Sequence, residues 1–146
     1  MIPSPDKHGN LPPGVYQATW DEIVERYATN ERRGQLLDGL RAAIDLLRTA
    51  GCQRVYLDGS FVTDKELPGD FDACWEMDGV DLDRLDPVLL DFKDLRAAQK
   101  ARFGGELFPA EIAAEPGGTP FIEFFQRDRL THAPKGIIEI EIGAMR

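Results

Sequence analysis

Two aspartates, Asp70 and Asp72, are separated by one residue in a segment where apolar and polar residues alternate. This period of two predicts a β-strand, and residues i and i+2 of a strand point to one face with α-carbons roughly 6.5 to 7 Å apart. Two carboxylates at that spacing can hold a divalent cation through oxygen, which suits Mg²⁺ or Mn²⁺. A pair of such ions can activate an attacking oxygen and neutralise a leaving pyrophosphate. The spacing therefore predicts a metal site for phosphoryl or nucleotidyl transfer.

A glycine and a serine, Gly59 and Ser60, end a second alternating segment at residues 54–58, and nine residues separate Ser60 from Asp70. Because glycine lacks a Cβ, backbone N–H groups beside it can approach an anion, and the serine hydroxyl adds a donor. Such donors near a metal site would suit a nucleoside triphosphate. Asp58, which precedes the glycine, is interpreted as structural or as a support for the neighbouring ligands.

Two helices precede the first of these strands. Thr19 and Glu22 form a capping-box pattern at the start of a helix predicted over residues 20–28. A second helix begins after Asn30, a good N-cap residue, and ends before Gly51. Its leucines recur at intervals of three and four residues, which is typical of an amphipathic helix.

The rest of the chain predicts mostly strands. Strands are predicted over residues 54–58, 70–76, 106–112, 121–125 and 136–142, and one further helix over residues 91–102. Helices followed by mixed strands predict an α+β fold in which helices pack on one face of a mixed sheet.

The N-terminal residues 1–18 contain four prolines and two glycines, which predict an extended arm. A chain of 146 residues then leaves one domain, residues 19–146. The net charge of -9 argues against a protein that coats nucleic acid. Only two cysteines and two histidines are present, without zinc-site spacing, and no long apolar run occurs. We therefore expect a cytoplasmic protein with no membrane span.

The order of Leu57, Gly59, Ser60, Asp70 and Asp72 resembles the signature of the nucleotidyltransferase superfamily related to DNA polymerase beta. In that signature a hydrophobic residue and a Gly-Gly or Gly-Ser pair precede Asp-x-Asp or Asp-x-Glu. The chain is most similar to small bacterial members, which are often encoded in toxin–antitoxin pairs. Residues 11–14 and 18–19 also resemble DUF6932, an uncharacterised bacterial family assigned to the superfamily. The resemblance implies the polymerase-beta-like fold.

The same resemblance implies roles for the signature residues. Gly59 and Ser60 would contact the triphosphate, and Asp70 and Asp72 would bind two Mg²⁺ ions.

A third carboxylate on a later strand is also implied. We place it at Glu106, which opens the first strand after the predicted helix at 91–102, and Glu139 and Glu141 are the alternatives. Lys65, in the loop between the two halves of the signature, would meet a phosphate as a point charge.

Two functions are compatible with these features. The first is an enzyme that transfers a nucleoside monophosphate from a nucleoside triphosphate, ATP favoured, to an acceptor hydroxyl on protein or RNA. The alternative is a binding or regulatory module that contacts a cognate toxin or antitoxin. Crowded carboxylates repel one another unless a cation is bound, which favours the enzyme. The net charge disfavours tRNA as an acceptor, although a basic patch at Arg96, Lys100 and Arg102 could override it.

Overall fold

Five strands form one mixed sheet in the computed structural model, which describes residues 2–145. Their order in the sheet is β1-β5-β2-β3-β4. β2 is antiparallel to β3 and β5, whereas β1 is parallel to β5 and β3 is parallel to β4. The predicted α+β class and mixed sheet are confirmed. The strands are β1 (Gly14–Gln17), β2 (Val55–Asp58), β3 (Phe71–Trp75), β4 (Gly105–Pro109) and β5 (Gly136–Ile140).

Four helices accompany the sheet: α1 (Trp20–Tyr27), α2 (Glu31–Thr49), α3 (Lys93–Phe103) and the single turn α4 (Phe121–Phe124). The capping box of α1 is present, since the Thr19 hydroxyl accepts from the Glu22 N–H and the Glu22 carboxylate accepts from the Thr19 N–H, both at 3.1 Å. The Asn30 side chain caps α2. None of the helices within residues 2–145 combines the length and the apolar character needed to cross a membrane.

The larger hydrophobic core lies on one face of the sheet. Alternate residues of β3, namely Phe71, Ala73 and Trp75, point into this core and are buried. Residues from the first three helices cover them: Ile23 and Tyr27 of α1, Leu36, Leu40, Ile44 and Leu47 of α2, and Phe103 of α3. This face is the rigid support for the side chains that point to the other side.

A smaller core occupies the opposite face of the sheet, and α4 packs there. It contains Cys74 and Ile137, with Phe125 and the partly buried Phe108 and Phe121. The prediction that helices lie on one face therefore holds for α1 to α3 and is corrected for α4. The physical reason is that β3 and β5 carry apolar residues on both faces, so both faces need a cover.

The strand predicted over residues 121–125 is wrong, because Phe121–Phe124 form a helical turn after Pro120. The apolar residues at 121, 122, 124 and 125 follow a helical spacing rather than strict alternation. The turn brings the ring of Phe121 into a stack on Phe108, with ring centroids 4.1 Å apart. Packing of these aromatic rings against Phe108 of β4 thus overrides the intrinsic strand propensity of phenylalanine and isoleucine.

The helix predicted over residues 91–102 is displaced and irregular. Asp94, Leu95 and Arg96 have φ angles of 51°, 56° and 61°, in the left-handed region. L-residues adopt this conformation at a steric cost. The right-handed turns follow this segment and end at Gly104, which is also left-handed and donates its N–H to the Lys100 carbonyl at 2.9 Å.

The predicted N-terminal arm is extended, and part of it belongs to the sheet. Residues Gly14–Gln17 form the edge strand β1, immediately after Pro12 and Pro13. An edge position tolerates the missing N–H groups of nearby prolines. Leu11 is only 1% exposed and lies in the larger core, and its carbonyl accepts from the N–H of Gly136 at 3.0 Å. The arm is therefore joined to β5 and to the core.

This packing can be tested with Leu11→Ala, which should lower the free energy of unfolding by about 2 to 5 kcal/mol, because truncating a buried leucine leaves a cavity. The control is Leu130→Ala, at a residue that is 91% exposed, and it should change stability by less than about 0.5 kcal/mol. Urea unfolding of both variants measures the difference. Equal stability of Leu11→Ala and wild type would contradict the buried position of the arm.

Candidate metal centre

Three acidic residues occupy facing positions on three adjacent strands. In the register of the sheet, Asp72 of β3 lies opposite Asp58 of β2 and opposite Glu106 of β4. Facing residues of neighbouring strands point to the same side of a sheet. Asp72 alternates with Ala73, so these carboxylates lie on the face opposite the larger core. Asp70, two residues before Asp72, joins them from the position immediately before β3.

The carboxylates of Asp70, Asp72 and Glu106 can each place one oxygen so that all three atoms lie within 4.8 Å of one another. We call this group the carboxylate triad. Oxygens on opposite sides of a Mg²⁺ ion are about 4.2 Å apart, since each ligand distance is about 2.1 Å. The donor set is oxygen only and partly buried. The triad therefore fits a hard divalent cation such as Mg²⁺ or Mn²⁺.

The three carboxylates of the triad lie close enough together to repel one another. Burial first of all, and then the charges of Asp70 and Glu106, raise the pKa of Asp72 to about 7. Partial burial makes water a poor shield between these carboxylates. A proton or a metal cation on Asp72 relieves the repulsion, so the two compete for the same position.

Basic side chains partly offset the charge of Asp70. Burial and then Glu106 raise the pKa of Asp70, and three cations oppose that rise: Lys100, Arg32 and Lys65. Lys65 is exposed and lies near enough to Asp70 to stabilise its charge. Its contact with a phosphate stays a prediction.

Gly59 brings the loop after β2 against the triad. Its φ of 87° is left-handed, and a Cβ at this position would lie 2.6 Å from Oδ2 of Asp72. Glycine is thus required both by the backbone conformation and by the closeness of a carboxylate. Ser60 follows it and begins a 3₁₀ turn, Ser60–Val62. The predicted Gly-Ser turn and the predicted Asp-x-Asp strand are neighbours in the structure.

Glu106 is held by two cations that the sequence did not assign to it. Its Oε2 lies 3.2 Å from the guanidinium of Arg96, and its Oε1 lies 3.1 Å from Nζ of Lys100. The third member of the basic patch noted in the sequence, Arg102, instead pairs with Asp86 at 3.1 Å. The i, i+4 spacing of Arg96 and Lys100 is the only sequence signal for their shared partner.

Asp58 is paired with Lys135, a residue that sequence reasoning missed. Nζ of Lys135 lies 3.0 Å from Oδ1 of Asp58, and both side chains are largely buried. Burial raises the pKa of Asp58, and the charge of Lys135 opposes this rise. Lys135 immediately precedes β5, the neighbour of β2 in the sheet, and no local motif marks the pair.

The alternatives for the third carboxylate lie elsewhere. Glu139 faces Tyr56 across the sheet and accepts from Nε2 of Gln17 at 2.8 Å. Glu141 lies 4.0 Å from the guanidinium of Arg54. Both line a separate cleft of about 580 Å³ between the start of α1 and the end of β5. The geometry brings Glu106, and neither of these two, to Asp70 and Asp72.

Fold and site together define an α+β protein with a candidate metal centre built from three carboxylates. The chain belongs to a family of unknown function, DUF6932, whose model matches residues 3–141. No curated protein and no solved structure gives a significant match to the chain. The comparisons establish the family, and the nucleotidyltransferase resemblance continues to rest on the signature residues.

The raised pKa of Asp72 predicts how stability depends on pH without metal. Between the unfolded value of 3.8 and the folded value of about 7, the folded protein keeps a proton that the unfolded chain loses. Stability from this group is therefore fully present below pH 3.8 and is lost as the pH rises through about 7. Asp72→Asn stays neutral and should lose this dependence, gaining about 1 kcal/mol or more over wild type at high pH.

Urea unfolding in the presence of a chelator, at pH 5 and pH 8, measures this effect. Glu139→Gln, outside the triad, is the matched control and should retain the pH dependence of wild type. Parallel pH profiles for wild type and Asp72→Asn would contradict the crowding of charge at this position.

The close approach of Gly59 gives a second test. Gly59→Ala should lower the free energy of unfolding by about 1 to 3 kcal/mol, because alanine is strained at this φ and its methyl group would meet Asp72. Gly69→Ala is the control, since a Cβ at Gly69 has no neighbour within 4 Å. Thermal or urea unfolding compares them, and equal stabilities would contradict the contact.

Proposed function

We propose that the protein is a metal-dependent nucleotidyltransferase with a polymerase-beta-like fold. It would move a nucleoside monophosphate from a nucleoside triphosphate, ATP favoured, to an acceptor hydroxyl and release pyrophosphate. The observation that carries the proposal is the position of the carboxylate triad beside Gly59. An acidic cluster alone is common on protein surfaces, whereas here a positive-φ glycine lets the loop that carries Ser60 lie directly against one member of the cluster.

The arrangement of elements supports the proposed fold. α2 leads into β2, the Gly-Ser turn follows, β3 returns antiparallel, and α3 connects to β4, which is parallel to β3. The Asp-x-Asp pair and the third carboxylate thus lie on neighbouring strands, as the resemblance implies.

Asp70, Asp72 and Glu106 would hold Mg²⁺ or Mn²⁺. A bound ion would neutralise charge on the phosphates and lower the pKa of an acceptor hydroxyl. The chain itself would supply the backbone N–H groups next to Gly59, the hydroxyl of Ser60 and the charge of Lys65 to orient the triphosphate.

The proton of the acceptor hydroxyl needs a base in this reaction. A carboxylate oxygen of the triad would accept a hydrogen bond from the hydroxyl and take its proton as the acceptor oxygen bonds to the α-phosphorus. The bond from that phosphorus to the bridging oxygen breaks at the same time, and pyrophosphate leaves with the electron pair.

One observation favours the second candidate, a binding or regulatory module of a toxin–antitoxin pair. Both oxygens of Glu106 already have cationic partners, Arg96 and Lys100, so this carboxylate is neutralised without a metal ion. A module of this kind would contact a cognate toxin or antitoxin and would need no catalysis.

Transfer of label distinguishes the two functions. The protein is incubated with each α-labelled triphosphate, Mg²⁺ or Mn²⁺, and either total RNA or total protein. The enzyme should label one acceptor class, and Glu106→Gln should reduce the rate about a hundredfold or more while ATP affinity changes little, because the interaction is made mainly in the transition state.

Glu139→Gln is the control for this experiment and should retain the wild-type rate. Equal labelling by wild type and by the double variant Asp70→Asn, Asp72→Asn would contradict the proposed site. No transfer to any acceptor, with no stabilisation by ATP and Mg²⁺, would favour the binding module.

A further inference from the structure

Arg96, the last left-handed residue of α3, and Lys100, four residues further along, hold different oxygens of Glu106. The Glu106 side chain is 14% exposed, whereas those of Arg96 and Lys100 are 28% and 41% exposed. The two cations are thus nearer to solvent than the carboxylate that they hold. A ligand that approaches the triad from solvent would meet them at its rim.

A metal ion on Glu106 would compete with Arg96 and Lys100 for this carboxylate. An oxygen that coordinates a divalent cation is a weaker partner for a guanidinium or ammonium group, because the positive charges repel each other. The three carboxylates of the triad and its two basic partners carry a formal charge of -1 when all are ionised, and Arg32 and Lys65 near Asp70 add positive charge. A divalent cation on the triad therefore makes the region positive. A loaded site would therefore attract an anion.

The donors of the pair suit phosphate oxygens. The guanidinium of Arg96 has a planar fork of N–H groups that can hold two oxygens, and Lys100 adds a mobile point charge. Nε of Arg96 is buried and has no hydrogen-bond partner within the described chain. This arginine thus has a donor that Glu106 does not use. Its guanidinium also lies over the ring of Phe108, 5.6 Å from the centroid, which fixes its position beside β4.

The backbone that carries Arg96 is held in a strained conformation. Asp94, Leu95 and Arg96 are consecutive left-handed residues, and Leu95 is 71% exposed, so burial of its side chain does not compensate for the strain. Arg96, the last residue of this segment, contacts Glu106 and Phe108. If Arg96 bound a ligand in place of Glu106, the left-handed segment would lose one of these two contacts.

We propose that Arg96 and Lys100 bind the polyphosphate chain of the ligand, and that Glu106 is their partner only until a divalent cation occupies the triad. This inference rests on the proposed function, because it assumes a phosphate ligand that arrives with a metal ion. The ligand class is a polyphosphate with a divalent cation, which inorganic tripolyphosphate and ATP share. In this arrangement one basic pair serves two states: it offsets part of the charge of the metal-free triad, and it holds the polyphosphate when a metal ion is bound.

Isothermal titration calorimetry with Mn²⁺ and either tripolyphosphate or ATP tests the proposal. Arg96→Gln and Lys100→Gln should each weaken the binding of both probes about tenfold or more, the loss of a charge-assisted hydrogen bond. Lys100→Arg keeps the charge and should bind within a few-fold of wild type. Arg102→Gln removes the same charge from the same helix, away from the triad, and should bind as wild type does.

Titration with Mn²⁺ alone separates this role from a structural one. Arg96→Gln and Lys100→Gln should bind Mn²⁺ as well as wild type or more tightly, because Glu106 has lost a competing cation. Weaker binding of Mn²⁺ by both variants would overturn the proposal, since the pair would then act by positioning Glu106.

The remaining outcomes distinguish the inference from the proposed function. In one outcome, wild type binds the probes with Mn²⁺ and the double variant Asp70→Asn, Asp72→Asn does not. If Arg96→Gln and Lys100→Gln then bind the probes as wild type does, the inference is overturned and the proposed function stands. If wild type binds ATP and not tripolyphosphate, the phosphate chain is not the anchored group and the inference is again overturned. If wild type binds neither probe with Mn²⁺, the proposed function itself fails.

Discussion

Repulsion among carboxylates on adjacent strands governs the organisation of this molecule. Like charges that face each other across a sheet are destabilising, and burial strengthens the effect. The carboxylates form a row across three strands, in the order Asp58, Asp72 and Glu106. Basic side chains reduce the repulsion at its two ends, since Lys135 pairs with Asp58 and two cations of α3 pair with Glu106. Asp72, in the middle, has no ion pair within residues 2–145. A proton or a metal ion is therefore most favourable at the centre of the row.

The sheet can carry this row of carboxylates because one of its faces packs in the larger core while the carboxylates lie on the other face. Ala73 and Leu107 pack in the larger core, and their neighbours Asp72 and Glu106 point to the opposite side. Side chains that alternate with buried ones are fixed in position by the strand itself rather than by a mobile loop. Gly59 follows the last residue of β2 and Asp70 precedes the first residue of β3, where the loops meet these carboxylates. The acidic groups are thus held together even though their mutual repulsion opposes this arrangement.

The sequence predicts those parts of the site that depend on local periodicity. Asp70 and Asp72 share a face because they are two residues apart on a strand, and the caps of α1 and α2 follow from Thr19 and Asn30. Glu106 could be placed only by resemblance, since its neighbour in space is 34 residues away in the chain, at Asp72. The partners of the carboxylates could not be predicted, because each pair forms only when strands or helices come together.

The left-handed segment before Ala97 likewise has no local signature, since none of its residues is glycine. The local pattern predicts a strand at α4, whereas packing between aromatic rings decides its conformation.

The sheet order also has a consequence for how the chain reaches its final state. β5 is the last strand in the described sequence, yet it lies between β1, the first strand, and β2. β1 has no other neighbour in the sheet, so it cannot pair until β5 has formed and docked. Lys135 arrives with the same strand, so Asp58 lacks its counter-ion until that moment. Long-range pairings of this kind slow folding. A chain emerging from the ribosome would therefore expose one edge of β2 and leave Asp58 without its counter-ion until residues 135–140 had been made.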